Sequence, residues 1–326
     1  MKTYFSIHQT EANLKAYNVP INCHIPNEEN PSIPAYHSDG ILSLYMVMLD
    51  ESILDYPRIQ LLMKEYNVSK IILRSCYADT DPSRNVNRLV KCINSNIFAY
   101  LPESIDLYMA QLGAHTRRHI RAYEKKFFQA HDSVEFFTQY KSEVNEDYYK
   151  EIIRLNHERC EAKGHQSGIS EKEVENLYEV IKLYGAVTIM MHKNKVIAGT
   201  ISTSIGNERT LHVIAHDNSY NSFNIGNIIM KKTIEQAINE KIGLFNLTWG
   251  GVVDRKGKTN WKMQFGNQRW YLNDITYFKR SSDYYLAKIA FESGIFFRKS
   301  YDANYRLLQK IYHFAKKKVK NEPVPN

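Results

Sequence analysis

The stretch NSFNIGNIIMKKTIEQAINEKIGLFNL, residues 221–247, sets a polar cluster before a single glycine, then a long amphipathic run, then a second glycine and a short apolar strand. Met230, Ile234, Ile238 and Ile242 recur every four residues, while Lys231, Glu235, Asn239 and Glu240 fall on other faces, which is the pattern of a helix with one buried side. The front of such a helix gathers unpaired backbone N–H groups and the positive end of its dipole, so an anion is the expected occupant. Gly226 lets a pyrophosphate approach the backbone with no Cβ in the way, and Ser222 and Asn224 add side-chain donors. A lone glycine ahead of a helix is also an ordinary turn, so the weight comes from its surroundings.

Upstream lie three strands joined by tight turns, AVTIMMH, VIAGTISTSI and RTLHVIAHD, with breaks at residues 193–195 and 206–207. They read as an antiparallel meander. Before them come helical segments: one from Ser104 that carries AHTRRHIRAYEKKF, one in EDYYKEIIRLNHERCEAKG that stops at Gly164, and one opened by a Ser170/Glu173 capping box. Downstream, LFNLT and RWYLNDITYF read as strands, and residues 283–319 as one or two helices ahead of a basic tail. The first third alternates strand (41–49), helix (52–66), strand (SKIILRSC), helix (84–93) and strand (NIFAYL), an α/β lobe. Pro20, Pro26, Pro31 and Pro34 argue against regular structure in its opening arm.

A length of 326 residues exceeds what one hydrophobic core usually serves, so two lobes are expected. The 43% hydrophobic and 24% charged content is that of a globular chain, and a net charge of +8 favours an anionic partner without naming it. Cys23, Cys76, Cys92 and Cys160 form no CxxC pair, and the first residues hold no apolar signal core, which predicts a reducing, cytoplasmic setting. The apolar run ILSLYMVML is far shorter than a membrane span. Twelve histidines supply no HExxH spacing, so no metal is expected.

The order strand, strand, strand, glycine turn, helix, strand, strand resembles the GNAT acetyltransferase superfamily, in which that turn holds the coenzyme A pyrophosphate. In more detail, residues 104–280 resemble the CelD/BcsL-type acetyltransferases of bacterial polysaccharide clusters, which are similar to the FemAB peptidyltransferases. Tyr220, Ser222, Gly226, Gly250, Lys262, Phe265 and Gly266 stand where that family has its turn, its strand-ending glycine and its Lys-x-x-Phe-Gly. The stretches TRRHIRAYEKKF and HERCEAKG resemble its arginine-rich helix and a second helix. The turn here carries Phe223, Asn224 and Asn227 where many superfamily members have Gln, Arg or further glycines, so it offers fewer charged contacts.

The resemblance implies an α/β (α+β) fold of tandem GNAT-like lobes, each a mixed, mainly antiparallel twisted sheet flanked by helices. The expected units are residues 1–103, 104–282 and a helical tail 283–326. It also implies an acyl-CoA co-substrate held by Ser222, Phe223, Asn224, Ile225, Gly226 and Asn227. Acyl transfer to an amine needs an uncharged amine, close approach and donors for the developing oxyanion. His212 and His216, four apart on one strand and hence expected on one face, are candidate bases, with Asp217 pointing the other way and Tyr220 a candidate acid for the leaving thiolate. Each has the plainer reading of a structural or surface side chain. Candidate substrate contacts are Arg118 in the basic stripe Arg117, Arg118, Arg121 and Lys125, then Trp249, Asp254, Trp261 and Lys262. Arg255 is a weaker candidate, and Cys160 reads as a structural thiol.

The expected function is N-acylation of a nucleotide-linked amino sugar, with no DNA partner and no transmembrane segment. A monomer is the simplest expectation. One alternative is a FemAB-like transferase using aminoacyl-tRNA, with the arginine helix and the terminal KKKVK touching the nucleic acid. Another is a catalytically silent binding module on the same fold.

Overall fold

The structure, a computed structural model, describes residues 7, 10–27, 30–45, 54–77, 87–164, 166–249 and 261–292. One mixed sheet runs through it, flanked by helices. In chain order the strands are β1 (Cys23–Asn27), β2 (Asn30–Ser38), β3 (Ile41–Leu44), β4 (Lys70–Tyr77), β5 (Arg88–Tyr100), β6 (Val134–Tyr140), β7 (Gly185–His192), β8 (Lys195–Ile205), β9 (Glu208–His216), β10 (Leu244–Trp249) and β11 (Gln268–Phe278). The helices are α1 (Glu11–Ala16), α2 (Tyr56–Glu65), α3 (Ile105–Gln111), α4 (Ala114–Ala130), α5 (Glu146–Glu161), α6 (Glu171–Tyr184), α7 (Ile225–Asn239) and α8 (Ser281–Glu292). Strand order across the sheet is β1-β2-β3-β4-β11-β5-β10-β9-β8-β7-β6. Pairings are antiparallel except β3 with β4 and β10 with β9. None of the described helices is long and apolar enough to cross a membrane.

The meander is present as β7, β8 and β9, and α6 opens on the expected capping box. Strand β11, read from the sequence as the end of the second lobe, instead lies between β4 and β5, and Trp270 pairs with Asn96. A helix was expected over residues 84–93, yet its described part is the first half of β5. A register of paired residues against β11, from Gln268↔Phe98 to Tyr277↔Arg88, overrides a local sequence compatible with either form. The proline-rich arm also forms strands. Pro26 sits in the edge strand β1 beside an irregular rung, and Pro34, which has no N–H to give, still accepts from the Tyr45 amide through its carbonyl. Strand β6 went unread although Val134, Phe136, Phe137, Thr138 and Tyr140 favour a strand; it is the edge beyond β7. Residues 46–49 of the expected first strand, the loop 250–260 and the tail beyond 292 lie outside the described residues.

Helix α7 packs its Met230, Ile234, Ala237 and Ile238 against Ile97 and Ala99 of β5, Leu211 of β9 and Phe245 and Leu247 of β10. At its front, Ile225, Ile228 and Ile229 pack with Phe127 of α4, Met190 of β7 and Ile197 and Ala198 of β8. Burial at about 25 cal/mol per Å² of apolar surface anchors the helix along its whole length. Its N-terminus is thereby fixed beside the ends of β9 and β10.

Candidate functional site

Strands β9 and β10 run together for three rungs, Leu244↔Glu208, Phe245↔Arg209 and Asn246↔Thr210, and then part. Beyond that point β9 pairs only with β8, and β10 is bulged between Asn246 and Trp249 on its β5 side. Two parallel strands that separate leave backbone groups facing a cleft rather than a ladder. Helix α7 begins at the open end of that cleft.

The turn into α7 is a 3-10 stretch, Asn218–Phe223, that ends on Asn224 in the left-handed region at φ 49°. No side-chain hydrogen bond caps the helix. Asp217 opens the turn: one oxygen accepts from the Ser219 amide (2.9 Å) and hydroxyl (2.7 Å), the other from Lys195 Nζ at 2.9 Å. Burial pushes its carboxyl up, but these donors outweigh it and hold it at about 2. Asp217 is therefore an anchor of the turn. Ser222 is exposed, and its carbonyl accepts from Lys126 Nζ at 3.2 Å, while the same ammonium lies over the Phe223 ring at 5.1 Å. Ile225, Gly226 and Asn227 are buried.

His216 explains part of that burial. Its Nε2 meets Asn221 Oδ1 at 2.9 Å, and its Nδ1 is enclosed without a hydrogen-bond partner. The ring lies where a Cβ on Gly226 would point, so the missing side chain makes room for an imidazole as well as for the backbone. Burial pulls His216 below the usual histidine value, and nearby Arg159 and Lys163 act the same way against the Asn221 contact. In this arrangement one ring nitrogen is engaged by Asn221 and the other is enclosed, and the ring packs against the start of α7. His212 does not share its face. A bulge sets Ile201 against Val213 and Ser202 against Leu211, leaving His212 as the extra residue. The alternation shifts there, and His212 Nε2 meets Thr203 Oγ1 at 2.8 Å, whereas Thr200 on the other face of β8 bonds Thr233 of α7. Tyr220, expected as an acid, has its hydroxyl 2.9 Å from His192 Nδ1 and packs against His131.

Trp261 and Lys262 converge on the cleft. Trp261 Nε1 donates to Asn227 Oδ1 at 2.6 Å, tying the 3-10 stretch Trp261–Gln264 to the first turn of α7. Lys262 Nζ donates to Thr248 Oγ1 at 3.1 Å on the last part of β10. Burial lowers this ammonium to about 8, inside the range where proton transfer near neutral pH is efficient. Arg118 stands exposed on α4, while its neighbour Arg117 is spent on the Ala110 and Leu112 carbonyls. Trp249 ends β10, and Asp254 lies outside the described residues.

Two cations escaped the sequence reading. Arg159 in the last turn of α5 and Lys163 just beyond it both lie close enough to His216 to depress it, and each is itself lowered by burial. Their signal was spacing: Arg159 and Lys163 are four apart.

Residues 114–263 match the family described as Acetyltransferase (GNAT) domain. No curated protein sequence matches the chain. Among solved structures, FemX is similar at 9% identity and a TM-score of 0.63 over 86% of this chain and 94% of that one. A conserved protein of unknown function from Bacteroides thetaiotaomicron VPI-5482 is similar at 12% identity and a TM-score of 0.59, covering 84% of this chain and 91% of that one. The C-terminal DUF2156 domain of a protein named as a lysylphosphatidylglycerol synthetase from Agrobacterium fabrum follows at 10% identity and a TM-score of 0.53, over 87% and 91% of the two chains. At these identities the likeness is one of fold. The chain carries a GNAT-like fold, similar to that of FemX.

Proposed function

We propose that this protein is an N-acyltransferase that moves an acyl group from coenzyme A to the amine of a nucleotide-linked amino sugar, with the chemistry in the cleft between β9 and β10. The observation that carries the reading is the junction itself: parting parallel strands, a helix start with no side-chain cap at their open end, and a lysine of lowered basicity bonded to the last part of β10. Coenzyme A supplies the acyl thioester. The backbone of residues 222–227 would hold its diphosphate, with Arg159 and Lys163 adding charge. Attack by the amine nitrogen forms the C–N bond and places negative charge on the carbonyl oxygen; collapse breaks the C–S bond, and the departing thiolate takes up the proton that the nitrogen loses. Lys262, as an ammonium, donates to that oxygen in its charged state and stabilises it. The net charge of +8 and the resemblance to polysaccharide-cluster enzymes support an anionic, nucleotide-linked acceptor.

A second reading, transfer of an aminoacyl group from tRNA, is favoured by one feature. The first turn of α7 is covered, Gly226 by His216 and Asn227 by Trp261, which restricts the approach of a diphosphate to the side of Ser222. In that reading the exposed Arg118, Arg121 and Lys125 on α4 contact the nucleic-acid backbone. Thermal unfolding in the presence of coenzyme A, acetyl-coenzyme A, nucleotide-sugars or tRNA separates the two, since a ligand that binds only the folded state raises its melting temperature. Stabilisation by coenzyme A and a nucleotide-sugar is the expected result. Stabilisation by tRNA alone replaces the first reading with the second.

A further inference from the structure

Thr248 has φ 57°, in the left-handed region, where a β-branched residue is strained. It lies within the bulge of β10 between Asn246 and Trp249. Bulges redirect side chains, and such a conformation persists only when its surroundings hold it. What holds it is Asn246. The Thr248 amide donates to Asn246 Oδ1 at 2.9 Å, and Asn246 Nδ2 donates in turn to Glu208 Oε1 at 3.1 Å. Thr210 Oγ1 donates to the same carboxylate oxygen at 3.1 Å. Asn246 is fully buried and Glu208 is 5% exposed, so little water competes for these bonds.

Asn246 and Thr210 form the last rung before β9 and β10 part, so the clamp stands at the closed end of the cleft. Its outward end is the Thr248 hydroxyl, which accepts from Lys262 Nζ at 3.1 Å. We infer that Asn246, held by Glu208, is a positioning residue for Lys262: it locks the strained Thr248 turn, and that turn fixes where the lysine amine stands. In this role Asn246, Glu208 and Thr248 act through Lys262 rather than on a substrate. The inference rests on the reading that Lys262 serves the transfer reaction, and it explains why a β-branched residue occupies a backbone conformation that glycine or asparagine would adopt at less cost.

The test reads the lysine directly and needs no substrate. The full-length protein is trace-labelled with acetic anhydride across a pH series, and acetylation of Lys262 is read by mass spectrometry against exposed lysines of the same digest. The native protein is expected to show half-maximal reactivity near pH 8, as burial of that amine requires. Asn246→Leu should move the midpoint up by about one unit or more as the amine leaves its desolvated seat. Thr248→Val should give the same shift, and the double variant no more than either single one, because both act on one link. Glu208→Leu should move the midpoint, while Glu208→Gln, which keeps an acceptor oxygen, should restore it.

A folded Asn246→Leu protein, shown by an ordinary melting curve, whose Lys262 midpoint is unmoved overturns the inference, and so do shifts that add in the double variant. If Asn246→Leu does not fold, Thr248→Val alone decides, since an unmoved midpoint there removes the link to the lysine. Failure of the underlying reading looks different: Lys262→Met would retain full transfer while the labelling shifts remained.

Discussion

The imidazole of His216 occupies the space above Gly226, with Nδ1 3.3 Å and Cε1 3.4 Å from where a Cβ on that glycine would stand. The ring is held from the other side by Asn221, so it has little freedom to withdraw. Gly226→Val should therefore destabilise the protein by about 1–3 kcal/mol through overpacking. Urea unfolding checks this, and combining it with His216→Ala should recover part of the loss. A fully additive pair would show that the two residues do not press on each other.

His216 also sets a pH dependence. Its folded value is depressed by burial, so the folded state prefers the neutral ring and the unfolded chain takes up a proton first as pH falls. The stability it contributes is present above the unfolded value of about 6.5 and is lost as pH falls from there through the folded value, by about 1.4 kcal/mol for each unit of depression. His131, lowered by burial with help from His192 and Lys193, acts with the same sign. Melting temperature measured from pH 8 to pH 5 should fall in the acid half of that range, and less steeply in His216→Gln.

Lys262→Met should cut the transfer rate by about 100-fold to 1000-fold, the usual cost of removing one donor to a developing oxyanion. Because burial lowers the ammonium to about 8, the rate that depends on its charged form should decline as pH rises past that value. Initial rates over a pH series test this, and a profile unchanged by Lys262→Met removes the lysine from the chemistry. The same change removes a desolvated cation, so the melting temperature should hold or rise.

Arg209 and Glu240 tie the start of β9 to the end of α7. The arginine is 1% exposed and the glutamate 26%, with Arg209 Nη1 donating to Glu240 Oε1 at 3.1 Å, Nη2 bonded to Oε2, and the Tyr140 hydroxyl donating to Oε1 at 2.8 Å. Glu240→Ala leaves the buried guanidinium, among the described residues, with the Ser204 hydroxyl as its remaining side-chain partner, and should cost about 3 kcal/mol. Replacing both, as Arg209→Met with Glu240→Leu, should cost far less. Denaturation midpoints of the three variants measure the difference.

Apart from β6, the elements of residues 104–249 were legible because each carried its own local signal. The four-residue spacing of Met230, Ile234 and Ile238 marked α7, and the Ser170/Glu173 pair marked the start of α6. Alternation with turn residues between marked β7 to β9. The first third was less legible: residues 88–93 allow helix or strand, and only the distant β11 selects strand. Within the site, Trp261, Lys262 and Asn227 could be singled out as residues, but not the pairing of Trp261 with Asn227 or of Lys262 with Thr248, 34 and 14 positions away.

The sequence by itself determined the order of elements around α7 and the glycine-containing turn in front of it, since periodicity and glycine placement act over a few residues. Tertiary structure alone decided which side chains meet there. One inserted residue in β9 moves His212 off the face of His216, and one bulge in β10 turns Thr248 toward Lys262. Both depend on registers between strands distant in the chain, and a shift of a single residue reverses every side chain beyond it.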